Sequence, residues 1–190
     1  MLNILTHKIT RHTAFALTVI AAASCAQDAP KTSQKTEASM TAVQTILSAD
    51  GTALGELSLE DLGEKGTKVT VSVKNISPGA HAMHFHEIGK CDAPDFKSSG
   101  GHYNPTEMSH GHKMPDGPHA GDMMNVDVAK DGTGTFIVVN ERVSINGDHG
   151  LPALLDADGT ALILHAGEDD YISQPTGAAG GRIGCAVIGG

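Results

Sequence analysis

Histidines at positions that suit metal binding are the most informative chemical feature of this sequence. The chain of 190 residues contains 11 histidines. His84 and His86 are two positions apart in an alternating segment, so a β-strand there would project both imidazoles from one face. Six histidines and one aspartate surround two long segments: His84, His86, His102, His110, His119, Asp122 and His165. Three histidines with an aspartate suit zinc, and three or four imidazoles without thiolates suit copper. We expect the other histidines of the domain, His81, His112 and His149, in solvent or loops.

Short alternating segments predict the strands that would carry these histidines. The clearest runs from Lys68 to Val73, and about eight such segments follow one another after residue 42. Turn signals such as Asp50-Gly51 and Asn146-Gly147 separate them. The pattern predicts an all-β domain, an eight-stranded antiparallel barrel or sandwich with Greek-key connections. The segments 89–122 and 166–182 are poor in strand patterns, and loops of that length are functional or are held by metal or disulfide.

The charge balance excludes one class of partner. Lys plus Arg total 13 and Asp plus Glu total 22, which gives a formal net charge of −9. A nucleic-acid-binding protein needs a basic face to neutralise phosphates, and aromatic residues for base stacking make up only 3% of this chain. We therefore expect no nucleic-acid partner.

The first 24 residues predict an export signal. Lys8 and Arg11 precede the mostly apolar run Thr13 to Ser24, and this run of 12 residues is shorter than the roughly 20 that span a bilayer. Small residues directly before Cys25 resemble a bacterial lipoprotein signal, in which that cysteine is lipidated; the alternative is ordinary cleavage nearby. We expect a signal peptide at 1–24, a flexible polar tether at 25–40 and one folded domain at 41–190. The protein would then be exported to the periplasm or cell surface and anchored to a membrane by its lipid.

The cysteine count agrees with export. If Cys25 carries lipid, Cys91 and Cys185 remain as a pair. An oxidising compartment would let a disulfide between them persist. In the chain-entropy model, closing a loop of this length stabilises the folded state by at most about 4–5 kcal/mol.

Ordered motifs across the domain resemble the copper–zinc superoxide dismutases. They are His84-Phe85-His86-Glu87-Ile88-Gly89, Cys91, Gly101-His102-Tyr103-Asn104-Pro105, His110, Pro118-His119-Ala120-Gly121-Asp122, His165, Asp169-Asp170, Thr176-Gly177, Gly180, Arg182 and Cys185. The resemblance extends over about Val43 to Gly190, and the N-terminus resembles the exported, lipoprotein-type bacterial branch. It implies a Greek-key barrel with a metal-binding loop and an electrostatic loop.

The resemblance also implies a role for each matching residue. Copper would be held by His84, His86, His102 and His165, and zinc by His102, His110, His119 and Asp122, so that His102 bridges the two metals. Asp169 would connect the free nitrogens of His84 and His110, and a Cys91–Cys185 disulfide would fix the first loop to the last strand. Arg182 would attract the substrate anion beside the copper, and His102 would carry a proton during the reaction. His112 is an alternative zinc ligand, which the spacing from His102 favours less than His110.

The implied activity is conversion of superoxide to dioxygen and hydrogen peroxide by copper that cycles between Cu(II) and Cu(I), which would protect the cell envelope. One alternative is a non-catalytic protein on the same fold that binds or buffers copper. Another is a cupin-type metalloenzyme, which the spacing of the zinc motif and the cysteine pair argue against. The oligomeric state stays open between monomer and homodimer.

Overall fold

The computed structural model describes residues 42–189. The expected signal peptide, Cys25 and the expected tether lie outside the described residues. No helix within 42–189 is long and apolar enough to cross a membrane.

Nine β-strands and three short 3-10 segments form the regular structure of this region. The strands are β1 (Gln44–Leu47), β2 (Ala53–Asp61), β3 (Thr67–Val73), β4 (Gly79–His81), β5 (Met83–His86), β6 (Val126–Val128), β7 (Gly134–Asn140), β8 (Thr160–His165) and β9 (Arg182–Ile188). The 3-10 segments are Gly63–Lys65, Lys97–Ser99 and Asp148–Gly150. The predicted all-β class is confirmed.

Seven strands form one curled antiparallel sheet in the order β5-β8-β9-β1-β2-β3-β7, and β4 pairs with β6. Strands that are distant in the chain lie side by side, β3 with β7 and β5 with β8, as Greek-key connections require. The structure has nine strands where the sequence indicates about eight, because the three-residue strand β4 precedes the alternating segment that begins at Met83. Ala82 follows the β4–β6 pair and donates its N–H to Gly167 O at 2.8 Å, where the chain turns toward β8.

The alternation of the sequence sets which side chains form the core. In β3, Val69 and Val71 are buried while Thr70 between them and Lys68 before them are half-buried, as expected for a strand with one face toward the core. Strand β8 differs, since all six of its residues are buried. One of its faces joins the main core, and its other face packs under the first long loop against Phe96 and Cys185. The strand that ends at His165 is therefore held on both sides.

Candidate metal centre

The edge of β5 brings the first long loop back onto the strand that carries His84 and His86. Isolated antiparallel bridges place His102 beside His86 and Asp122 beside His84. Two parts of the loop 89–122 thus align with neighbouring positions of one strand. This register gathers ligand-type side chains that are far apart in the sequence.

Two groups of buried side chains form at this edge, and they share His102. Within each group, one nitrogen or oxygen atom per residue lies within 4.8 Å of the others. The groups are His84, His86, His102 and His165, and His102, His110, His119 and Asp122. The ring of His102 lies between them, with its Nε2 atom free and its Nδ1 atom next to Asp122.

Unpaired ring nitrogens distinguish the first group from a hydrogen-bonded core cluster. Nδ1 of His84 and Nε2 of His86, His102 and His165 are buried and have no hydrogen-bond partner within residues 42–189. Buried polar atoms are almost always paired, so four unpaired atoms in one cluster require an explanation. An all-imidazole donor set suits copper, which would bind these lone pairs directly. The residues of this group fit that metal.

In the second group, three imidazoles surround one carboxylate. Asp122 Oδ1 lies 2.9 Å from His102 Nδ1 and 3.3 Å from His119 Nδ1, and Asp122 Oδ2 lies 3.0 Å from His110 Nδ1. Tetrahedral zinc with bonds of about 2.0–2.1 Å separates its ligand atoms by about 3.3 Å. The donor set and these distances fit zinc. His112 lies outside the group, with its ring 5.8 Å from that of Tyr171.

The comparison with known proteins agrees with this geometry. Residues 53–188 match the family model of copper/zinc superoxide dismutase. The chain belongs to this family. It is 40% identical over 148 residues to the copper–zinc superoxide dismutase of Caulobacter vibrioides, which covers 77% of this chain and 84% of that protein.

Superoxide dismutase-like relatives also match. The superoxide dismutase-like protein YojM of Bacillus subtilis is 33% identical over 181 residues, covering 90% of this chain and 92% of the relative. A crystal structure of a superoxide dismutase-like protein from Bacillus subtilis aligns with a TM-score of 0.74 at 33% identity, over 79% of this chain and 99% of that one. Some relatives of this chain are therefore named superoxide dismutase-like rather than superoxide dismutase.

Asp169 connects the two ligand groups of this superoxide dismutase family member. Its Oδ2 accepts a hydrogen bond from His84 Nε2 at 2.9 Å, and its Oδ1 accepts one from His110 Nε2 at 3.0 Å. In each ring the bonded nitrogen is the one that faces away from the metal group. Gly177, at φ +65°, passes so close that a Cβ there would overlap the Asp169 carboxylate. Such contacts fix the orientation of metal-binding imidazoles.

Burial and charge give the imidazoles different protonation behaviour without metal. Desolvation lowers the pKa of His86 to about 2, of His165 to about 3 and of His102 to about 4, so these rings are neutral. Burial acts in the same direction on His110, but the carboxylates of Asp122 and Asp169 outweigh it and raise its pKa to about 9. A metal that binds His110 must therefore displace a proton.

The expected disulfide between Cys91 and Cys185 is confirmed. The two Cα atoms are 5.8 Å apart, and the bond joins residues 94 positions apart in the sequence. It fixes the beginning of the first long loop to β9, the strand that begins at Arg182.

Arg182 lies against the same loop. Its Nη1 donates to Phe96 O at 2.7 Å and to Ser99 Oγ at 3.0 Å, and its Nη2 donates to Gly100 O at 2.7 Å. Gly100 O also accepts a hydrogen bond from His86 Nδ1 at 3.0 Å. The carbonyl group of Gly100 therefore links the guanidinium of Arg182 to the ring of His86, a member of the first ligand group.

Two contacts near the ligands were absent from the sequence interpretation. The expectation that His81 lies in solvent or a loop is wrong: it is buried in β4, with Nδ1 2.7 Å from His165 O and Nε2 2.8 Å from Ser77 O. Asn125 donates to Asp169 O and accepts from Asp169 N, both at 2.9 Å. No local motif marks either residue, because the partners near the proposed ligands, His165 O for His81 and Asp169 for Asn125, are distant in the chain.

Proposed function

We propose that this chain is an exported copper–zinc superoxide dismutase. Copper would be bound by His84, His86, His102 and His165, and zinc by His102, His110, His119 and Asp122. The observation that carries the proposal is the set of four buried imidazoles with unpaired nitrogens beside a half-buried arginine. The chain would thus supply both the ligands for a redox metal and a cation for an anionic substrate.

Arg182 would bind the superoxide anion. Both N–H groups of Nη1 and one of Nη2 are used by the loop, which leaves the Nε–H and one Nη2–H for a ligand among the contacts of residues 42–189. Arg182 is half-buried rather than buried, so an anion from solvent would reach its free donors. Its rigid attachment to Gly100 keeps the positive charge near the proposed copper ligands.

His102 would hold the transferable proton. Its Nε2 faces the first ligand group, while its Nδ1 lies beside Asp122, which keeps the ring in place. Copper, when bound, supplies the one-electron couple that converts two superoxide ions and two protons into dioxygen and hydrogen peroxide. The chain contributes the ring geometry, the proton position and the exclusion of bulk water, because all the proposed ligands are buried.

Export and anchoring complete the proposal. Residues 1–24 would be the lipoprotein signal, Cys25 the lipidated residue, 25–40 the tether and 41–190 the enzyme domain, either monomer or homodimer. The Cys91–Cys185 disulfide supports an oxidising compartment. At the cell envelope the enzyme would remove superoxide before it causes damage there.

Superoxide decay measured by pulse radiolysis tests the activity. Protein loaded with one copper and one zinc per chain should accelerate decay far beyond metal-free protein and beyond an equal amount of chelated copper. The alternative of a copper-binding protein without turnover is favoured by the superoxide dismutase-like naming of the Bacillus subtilis relative. Stoichiometric copper binding without accelerated decay would establish that alternative.

A further inference from the structure

The domain contains only two arginines, and both contact the loop 89–122, which carries proposed metal ligands. Within residues 41–190 the arginines are Arg142 and Arg182, and the remaining cationic residues of that range are lysines. Arg182 holds the loop beside the proposed copper ligands. Arg142 lies two residues beyond β7, and its Nε donates to His119 O at 3.2 Å while its Nη2 donates to Asp122 O at 2.5 Å.

Asn140, the last residue of β7, adds a third contact to the same turn. Its Nδ2 donates to Ala120 O at 2.8 Å, and its Oδ1 accepts from Arg142 N at 3.0 Å. Asn140 is 1% exposed and pairs with Thr67 in the sheet. We call Asn140 and Arg142 the carbonyl clamp. Together they bind three carbonyl oxygens of a four-residue turn and connect it to the barrel.

The turn 119–122, to which the carbonyl clamp is hydrogen-bonded, supplies two of the four proposed zinc ligands, His119 and Asp122. The Asp122 carboxylate is also oriented from the other side, since its Oδ2 accepts backbone N–H groups of Gly111 at 2.9 Å and His119 at 3.0 Å. The carbonyl and the carboxylate of Asp122 are thus both held by the protein itself. These bonds order the turn with contacts that need no metal.

We propose that the carbonyl clamp is a positioning device that keeps the turn 119–122 in its ligating conformation before zinc binds. Zinc affinity then depends on two residues that do not touch the metal. This inference rests on the proposed zinc ligands. Its physical basis is that a turn already ordered loses less conformational entropy when the metal binds.

The geometry explains why arginine occupies position 142. The planar guanidinium presents several donors in fixed directions, whereas a lysine ammonium is a point charge on a flexible stem. One side chain can therefore reach His119 O and Asp122 O at once. The positive charge alone would repel zinc, so a device that acted through charge would weaken binding rather than support it.

Zinc and cobalt binding to metal-free protein tests the carbonyl clamp. Arg142→Lys keeps the positive charge but loses the planar set of donors, and Arg142→Gln loses both the charge and that set of donors. Asn140→Asp removes the N–H donor to Ala120 O. We expect each variant to raise the zinc Kd about 10- to 100-fold in chelator competition, with a changed ligand-field spectrum of bound Co(II). The matched control is Lys68→Gln on β3, whose ammonium pairs with Glu60 at 2.5 Å; its zinc Kd should stay within twofold of wild type.

Two further measurements separate positioning from general loosening. Copper affinity of the same variants should change less than threefold, and an equal loss for copper and zinc would overturn the proposal. The inference is also overturned if Arg142→Lys and Arg142→Gln bind zinc within twofold of wild type. If wild type itself binds no zinc, the proposed function fails. Amide hydrogen exchange in the turn 119–122 of metal-free protein then tests the ordering of the turn without zinc. Exchange should be at least tenfold faster in Arg142→Lys than in wild type, and an unchanged rate would overturn the carbonyl clamp.

Discussion

His86 and Arg182 donate hydrogen bonds to the same atom, the carbonyl oxygen of Gly100. The first is a proposed copper ligand on β5, and the second is the proposed substrate-binding cation on β9. One backbone group of the first loop therefore connects the proposed copper ligand to the positive charge. The loop in turn is attached to β9 by the Cys91–Cys185 disulfide.

Loss of the disulfide should reduce both stability and activity. We expect Cys91→Ser to lower the free energy of unfolding by about 2–4 kcal/mol, because the loop-closure constraint on the unfolded chain is lost. Activity should fall as well, since the loop carries the carbonyl groups that hold Arg182. Denaturant unfolding of the metal-free protein measures the first effect.

A double variant provides the control for this prediction. Cys91→Ser with Cys185→Ser should unfold like the single variant, because both lack the same bond. Wild type in reductant should approach them. Two reactive thiols from Cys91 and Cys185 in the denatured, unreduced protein would contradict the pairing.

Zinc affinity should depend on pH through His110. The carboxylates of Asp122 and Asp169 raise the pKa of this ring to about 9 against its burial, so below that pH zinc competes with a proton. The zinc affinity therefore falls about tenfold for each unit that the pH drops below 9. The ring of His102 adds no such dependence above pH 5, because burial lowers its pKa to about 4. Chelator competition at pH 6, 7 and 8, corrected for the protons of the chelator, measures the slope.

Two histidine variants identify the titrating ligand. His110→Ala should lose most zinc affinity and the pH slope, whereas His112→Ala should keep both, because its ring lies outside the group around Asp122. The opposite result would reassign the ligand to His112. A flat profile in wild type would show that His110 is neutral before zinc binds.

The sequence could predict the strand-borne part of this centre more easily than the loop-borne part. His84 and His86 follow from the period of a strand, and the family motifs indicate the other ligands. The pairing of His102 with His86 and of Asp122 with His84 depends on how a 34-residue loop folds back onto β5, which no local period encodes. Arg142 of the carbonyl clamp could not be predicted from the sequence for the same reason, since its partners are carbonyl oxygens on another element.

Anchoring is tested at Cys25. We expect the native protein to begin at a diacylated Cys25, because the preceding segment resembles a bacterial lipoprotein signal. Intact-mass measurement of membrane-extracted protein checks this, and Cys25→Ser should appear in the soluble fraction or remain unprocessed. An unmodified mature protein that begins elsewhere would contradict lipidation and leave the metal centre unaffected.

The substrate should be guided by local rather than by net charge. Removal of residues 1–24 takes away Lys8 and Arg11 and leaves 11 basic and 22 acidic residues, a net charge of −11. A uniformly negative protein would repel superoxide, and added salt would then accelerate the reaction. A positive group in a cleft focuses the field locally and reverses that dependence. The segment 166–181 contains no lysine, so Arg182 is the main cation of this side of the site.

We therefore expect the rate per unit superoxide to fall as ionic strength rises past about 0.1 M, where the Debye length is about 10 Å. Arg182→Gln should lower the rate about tenfold and Arg182→Glu about a hundredfold, both with full copper because Arg182 is not a ligand. The control is Lys68→Gln, a cation of β3 paired with Glu60 at 2.5 Å, which should change the rate less than twofold. Pulse radiolysis across a salt series measures all four proteins. A wild-type rate that rises with salt would mean that the net charge dominates, and an unchanged rate in Arg182→Glu would move the guiding cation to Lys97 or Lys113.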